Sequence, residues 1–193
     1  MKILWFTNGP GLALEYLTRN KSNRSWSAAL NIELADLVEL HVAFYYPKYT
    51  EPFVYKNTKF YPICKKNWKV HFLKNIFFKK NIDEEDIYIY KSLIKQIEPD
   101  IIHIHGTENP FGCIIKETSV PVVISIQGIL NAIIKNYFSG IPKKYLNVRG
   151  SDFNLRSFLF SSSFKTQYLS MIRSAIREEK NLYACRYIIG RTD

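Results

Sequence analysis

"PDIIHIHGTENP", residues 99–110, is the stretch from which the fold can be read. A short apolar run carries two histidines, His103 and His105, and stops at Gly106. A run of this length bounded by turn residues reads as a buried strand. Before it lies "DEEDIYIYKSLIKQIE", 83–98, which places Ile87, Tyr90, Leu93, Ile94 and Ile97 on one face. Its acidic residues open the segment, the end that a helix dipole favours, so a helix is expected. After it, "NPFGCIIKETS", 109–119, reads as a helix and "PVVISIQG", 121–128, as another buried strand.

The same alternation extends in both directions. "KILWFT", 2–7, is a strand closed by "NGPG". "SWSAALNIELADLV", 25–38, has Trp26, Ala29, Leu30, Leu34 and Leu37 at helical spacing. "ELHVAFYY", 39–46, and "FVYKNTKFYPI", 53–63, read as two further strands. "ILNAIIKNYF", 129–138, and "FKTQYLSMIRSAIREEKNLYAC", 164–185, are helical patterns separated by a less periodic stretch, and "RYIIGRTD" closes the chain as a strand entering a loop. Alternating strands and helices predict an α/β fold: a Rossmann-like parallel sheet with helices on both faces.

The chain has 193 residues, 47% of them apolar, which suits one domain with a full core. Its formal net charge of +10 favours acidic partners. Cys64, Cys113 and Cys185 are widely spaced and form no CxxC, so neither a zinc ribbon nor a disulfide framework is expected. The apolar run Ile3 to Phe6 is short for a signal peptide, and no run has the ~20 apolar residues of a membrane span. A cytoplasmic location is expected. The segment "CKKNWKVHFLKNIFFKKN", 64–81, interleaves Lys65, Lys66, Lys69, Lys74, Lys79 and Lys80 with Trp68, Phe72, Phe77 and Phe78. That mixture suits an anionic membrane surface, single-stranded nucleic acid, or a solvated helix whose apolar side faces the core. "KNYFSGIPKKY", 135–145, has the same character.

Ligands of parallel sheets bind outside the carboxyl ends of the strands. Four expected strand ends carry unusual residues: Asn8-Gly9-Pro10-Gly11, His105-Gly106-Thr107-Glu108, Gln127-Gly128 and Gly190-Arg191-Thr192-Asp193. A glycine follows each strand, where backbone must turn sharply or approach something closely. His103 and His105, two apart on a strand, point the same way. They form either two ligands of an incomplete metal site, or a packed strand histidine beside one facing the cleft. Thr107 and Glu108 either contact a ligand or, with Asn109, cap the helix that Pro110 begins. "NGPG" is neither a GxGxxG nor a Walker loop, and the next helix is expected only at Trp26, which disfavours a standard dinucleotide fold. Ser25 and Trp26 would then stand at a helix N-terminus suited to anions.

"PDIIHIHGTE", "PVVISIQGIL" with "YFSGIP" after it, "IIGRTD" after a long helix, and the opening "ILWFTN" with "SWSAAL" together resemble the N-terminal domain of family-4 retaining glycosyltransferases of the GT-B fold. The resemblance covers nearly the whole chain and lies in the order and spacing of the motifs. It implies that residues 1–193 are one Rossmann-like, acceptor-side domain, and that a C-terminal nucleotide-sugar-binding domain is absent from this chain. The implied activity moves a sugar from a nucleotide-sugar to a glycan or lipid-linked acceptor, in bacterial surface polysaccharide assembly, without cofactor or metal.

The residues it implies for substrate binding are Asn8, Gly9, Gly11, Ser25, Trp26, His105, Gly106, Thr107, Glu108, Gln127, Gly128 and Arg191, with His105, Glu108 and Gln127 as catalytic candidates. Two departures stand out. Arg24-Ser25 precede Trp26 where relatives often carry glycines, and Gln127 stands where many have histidine. Glutamine orients a hydroxyl but cannot transfer a proton. The implied location is the cytoplasm, peripheral at the inner face of the cell membrane. Two other readings are a non-catalytic module that binds a lipid-linked glycan, and a metal-dependent hydrolase built on "HIH". Nucleic acid is not an expected partner, since no reading motif accompanies the charge.

Overall fold

The computed structural model describes residues 1–19, 25–64, 83–140 and 164–190. Most of the basic segment 64–81, Arg191, and residues 141–145 lie outside them. The described elements are β1 (Lys2–Thr7), α1 (Ala13–Thr18), α2 (Trp26–Ala35), β2 (Glu39–Tyr45), β3 (Phe53–Tyr55), β4 (Thr58–Ile63), α3 (Asp83–Ile97), β5 (Ile101–His105), a 3-10 helix (Pro110–Lys116), β6 (Val122–Ser125), α4 (Leu130–Lys135), α5 (Phe164–Ala184) and β7 (Tyr187–Ile189). The strands form one sheet in the order β3-β4-β2-β1-β5-β6-β7. Every neighbouring pair is parallel except β3 and β4. The fold is therefore α/β and Rossmann-like. From β1 the chain winds outward through β2 to β4, then returns to the other side of β1 and winds outward through β5, β6 and β7. The order reverses between β1 and β5, and a crevice opens at such a switch point.

Side chains alternate across the sheet and divide the core in two. Leu4, Phe6, Ile102 and Ile104 pack with Tyr90 and Ile97 of α3 and with Phe111 and Ile114 of the 3-10 helix. Trp5, Val42, Phe44 and Phe60 face the other way, onto Leu12, Ala13 and Ala28. Each large apolar side chain buried in this way contributes about 1.5–3 kcal/mol.

Four local expectations are corrected. A helix follows the glycine turn at once: α1 begins at Ala13, after the Ala13 amide bonds the Pro10 carbonyl. Six residues give too little periodicity to reveal it. "FVYKNTKFYPI" is not one strand but the hairpin of β3 and β4, turned by Lys56 and Asn57, both at positive φ. That is the backbone of a tight hairpin turn, achieved here without the glycine that normally marks one.

Residues 110–116 form a 3-10 helix rather than an α-helix. Pro110 lacks a donor and Gly112 weakens α-helix formation, leaving a short, tight piece. The inner face of α2 is Ala28, Asn31 and Ala35, while Trp26, Ala29, Leu30 and Leu37 are exposed. Small side chains let α2 lie close on a sheet face made bulky by Phe44 and Phe60, and the Thr58 hydroxyl donates to Asn31 across that contact at 3.1 Å.

Candidate functional site

Because β1, β5, β6 and β7 are parallel, their carboxyl ends share one edge. A cavity of about 260 Å³ lies there, outside the switch point. The turn after β1 supplies Thr7, Asn8, Gly9, Pro10 and Gly11, with Leu14 of α1 behind it. Ser25, Trp26 and Ser27 at the start of α2 form a second wall, His105 closes β5, and Gln127 follows β6. Ser25 is the N-cap of α2: its hydroxyl accepts from the Ala28 amide at 3.2 Å and lies 3.0 Å from the Ser27 hydroxyl.

His103 and His105 point to the same side as Trp5, with their rings 4.0 Å apart. They differ in what they do. Nε2 of His103 is 2.7 Å from the Ser125 hydroxyl, which ties β5 to β6. His105 is 2% exposed, packed edge-on to Trp5 at 4.6 Å and beneath Trp26 at 5.5 Å. Neither of its ring nitrogens has a hydrogen-bond partner among the described residues. Such a group costs about 1–3 kcal/mol in a folded protein. Burial pushes the His103 imidazole down from 6.5 to about 4. Burial, and then the neighbouring His103, pushes His105 to about 3. Both rings are neutral at physiological pH. Among the described residues, no group of three His, Cys, Asp or Glu side chains is placed to hold a metal ion.

Seven of the sequence-derived residues line the cavity: Asn8, Gly9, Gly11, Ser25, Trp26, His105 and Gln127. Gly106, Thr107, Glu108 and Gly128 do not, and Arg191 lies outside the described residues. Glu108 acts one step back from the cavity. Its carboxylate accepts from the Asn8 amide, whose oxygen accepts in turn from Asn109 at 2.9 Å. Asn109 occupies the N-cap position of the 3-10 helix but makes no capping bond with its side chain. The Thr107 hydroxyl points inward and donates to buried Glu178 of α5. Gly106, at φ +87°, is required: a Cβ there would stand 2.4 Å from the Glu108 carboxylate and 2.5 Å from the Asn8 amide. Gly11, at φ +51°, turns the chain beneath Ser27. Gly9 and Gly190 have nothing within 4 Å of an added Cβ, and Gly128 only an ordinary contact, so close approach does not require glycine at these three positions.

Sequence reading missed what holds this edge together. Glu178, 1% exposed, accepts from Thr107 and, at 2.9 Å, from the Leu130 amide that opens α4. Arg177 donates to the Glu108 carbonyl at 2.7 Å. A sign was present: Glu178 follows Ala175 by three and precedes Leu182 by four, on the inward stripe of α5. The chain matches no family model, and no curated protein is significantly similar to it.

Proposed function

We propose that this chain is the acceptor-side domain of a retaining glycosyltransferase, which moves a sugar from a nucleotide-sugar to a glycan or lipid-linked acceptor at the inner face of a bacterial membrane. One observation carries the reading: the loops after β1, β5 and β6, with the N-terminus of α2, converge on one cavity at the switch point of a Rossmann-like sheet. Asn8, Trp26, His105 and Gln127, each within a motif that resembles family-4 glycosyltransferases, line that cavity.

In this reading the domain's own residues orient the acceptor. Asn8, fixed by Glu108 and Asn109, and Gln127 hold hydroxyl groups, and fixing an attacking hydroxyl in line can remove several kcal/mol of barrier. A second Rossmann-like domain would supply the positive charge and amides that stabilise the departing nucleoside diphosphate. The test is transfer from a panel of nucleotide-sugars to lipid-linked acceptors. The 193-residue chain alone should be at least about 100-fold slower than the chain joined to such a domain. Equal rates would overturn the division of labour, and no transfer by the joined protein would overturn the activity.

A second reading is favoured by one specific feature. Gln127 cannot transfer a proton, and His105 stays neutral far below physiological pH. Such a site suits a module that holds a glycan without reacting it. Saturable glycan binding by a joined protein that never transfers would select this reading.

A further inference from the structure

β7 is the last strand of the sheet and, among the described residues, pairs with β6 alone. Strands of a parallel sheet are ordinarily buried on both faces. Here Tyr187, Ile188 and Ile189 are 46, 44 and 52% exposed. Tyr187 and Ile189 point to one face of the sheet and Ile188 to the other, so the strand is apolar and wet on both sides. Such an edge is a template for another strand unless proline, charge or a bulge blocks it. The opposite edge of the sheet is guarded: Pro52 precedes β3, Glu51 and Lys56 flank it, and β3 closes a hairpin with β4. β7 contains neither proline nor charge.

The backbone shows which groups are on offer. The Ile189 carbonyl accepts from the Ile126 amide at 2.8 Å, so the peptide groups of Ile189 face β6. These groups alternate in direction along a strand. Those of Ile188, and of Arg186 and Gly190 on either side of it, therefore face the free edge.

A second copy of this chain fits that edge. Antiparallel pairing about Ile188 lets the two Ile188 residues exchange both backbone hydrogen bonds, with Arg186 and the partner's Gly190 forming the next such pair. Between them Tyr187 meets the partner's Ile189 in the closer kind of pair, and an aromatic against a β-branched side chain is a favourable combination there. Charge selects the same direction. Parallel pairing in register would set Arg186 beside the partner's Arg186. Antiparallel pairing holds the two arginines at opposite ends, each beside Gly190, where an added Cβ would have nothing within 4 Å. The contact is two-fold and consumes both free β7 edges, so it closes at two copies.

We propose that β7 is a self-association edge, through which two copies of this chain pair antiparallel about Ile188 and join their sheets into one. The contact is short and buries less than the ~1,600 Å² of a standard interface, so the dimer is reversible, with a Kd on the order of 100 µM. It is independent of the function proposed above. Because the paired strands run in opposite directions, the carboxyl edges of the two sheets, and with them the two cavities, face opposite ways.

The test is sedimentation equilibrium of the 193-residue chain from about 10 µM to about 1 mM, with amide hydrogen exchange over the same range. The average mass should rise from one chain towards two and no further. Exchange at the Ile188 amide should slow about tenfold or more across that range. Ile188→Pro removes an N–H that the monomer does not use in its sheet, so its melting temperature should be unchanged while its association weakens about tenfold or more. Should the proline disturb the strand, the double variant Tyr187→Lys with Ile189→Lys decides, because it sets like charges opposite each other across the pair. A chain that stays monomeric to about 1 mM would overturn the proposal, as would parent-like association of the variants. Growth beyond two copies would do the same, since a closed pair of β7 strands leaves no edge to extend. An Ile188 amide already protected in the monomer would assign the edge to another segment of the same chain and would likewise sink the pairing of copies.

Discussion

His105 shows how a single side chain can be set by its surroundings against its own stability. In water its imidazole would titrate near 6.5, but beneath Trp5 and Trp26 it is held neutral to about 3, and His103 beside it to about 4. The folded values lie below the unfolded one, so the unfolded chain takes up protons first as pH falls. The stability from the neutral rings is full above pH 6.5 and is lost as pH falls from there towards 4 and 3. Melting temperature followed from pH 7.5 to 4 should fall steeply in this window, by several kcal/mol in equilibrium terms. His105→Phe should flatten part of the fall and leave stability at pH 7.5 unchanged or higher, because an unmet polar group is replaced by an apolar one. An equally steep fall in that variant would show that His105 is not the group protonated. Glu108 makes the complementary case, since its carboxylate serves Asn8. Glu108→Ala should free the Asn8 amide, weakening ligand binding by about 1.5–3 kcal/mol with little change in melting temperature. Glu108→Gln keeps an acceptor oxygen and should lose less. Equal binding in Glu108→Ala and the parent would mean that Asn8 needs no anchor.

Among the elements, α2 departs furthest from its pattern. Its spaced large residues describe an apolar face, yet Leu30 and Leu37 are exposed and Ala28 is buried. Periodicity reports that a helix has two faces; close contact with a crowded sheet decides which face goes in. Leu30→Lys should therefore change stability by no more than about 0.5 kcal/mol. Ala28→Leu, on the inner face, should cost about 1–3 kcal/mol by overpacking. Urea unfolding of the two variants checks this, and the reverse ranking would show that α2 is turned the other way. The hairpin of β3 and β4 carries a related lesson. Lys56 and Asn57 adopt positive φ because the two strands pair, and no local glycine announces the turn.

Across the whole molecule, the composition of the cavity lining differs from that of the chain. The chain carries +10, while the described polar side chains that line the cavity are uncharged. Among the described residues no helix is long and apolar enough to cross a membrane. Lys65, Lys66 and Lys69 of the basic, aromatic segment are expected to contribute about 1 kcal/mol each at an anionic bilayer. Sedimentation with anionic liposomes should drop when all three become glutamate, and unchanged sedimentation would leave the segment without a membrane role. What the sequence alone determined was the α/β class, most of the alternation of strands and helices though neither α1 nor the β3–β4 hairpin, and the loops that bear the unusual residues. Short apolar runs and helical spacing are local, and each residue reports on its own neighbours in the chain. It also placed Asn8, Trp26, His105 and Gln127 at strand or helix ends, and parallel pairing then brings these to one edge. Only the tertiary structure decided that His105 is sealed and unpartnered, that Glu108 serves Asn8, and that Arg177 and Glu178 hold the loop after β5. Those facts depend on burial and on hydrogen bonds between residues as far apart in the chain as Asn8 and Glu108, or Thr107 and Glu178. Only folding brings such pairs within hydrogen-bonding distance and removes the water that would otherwise satisfy them.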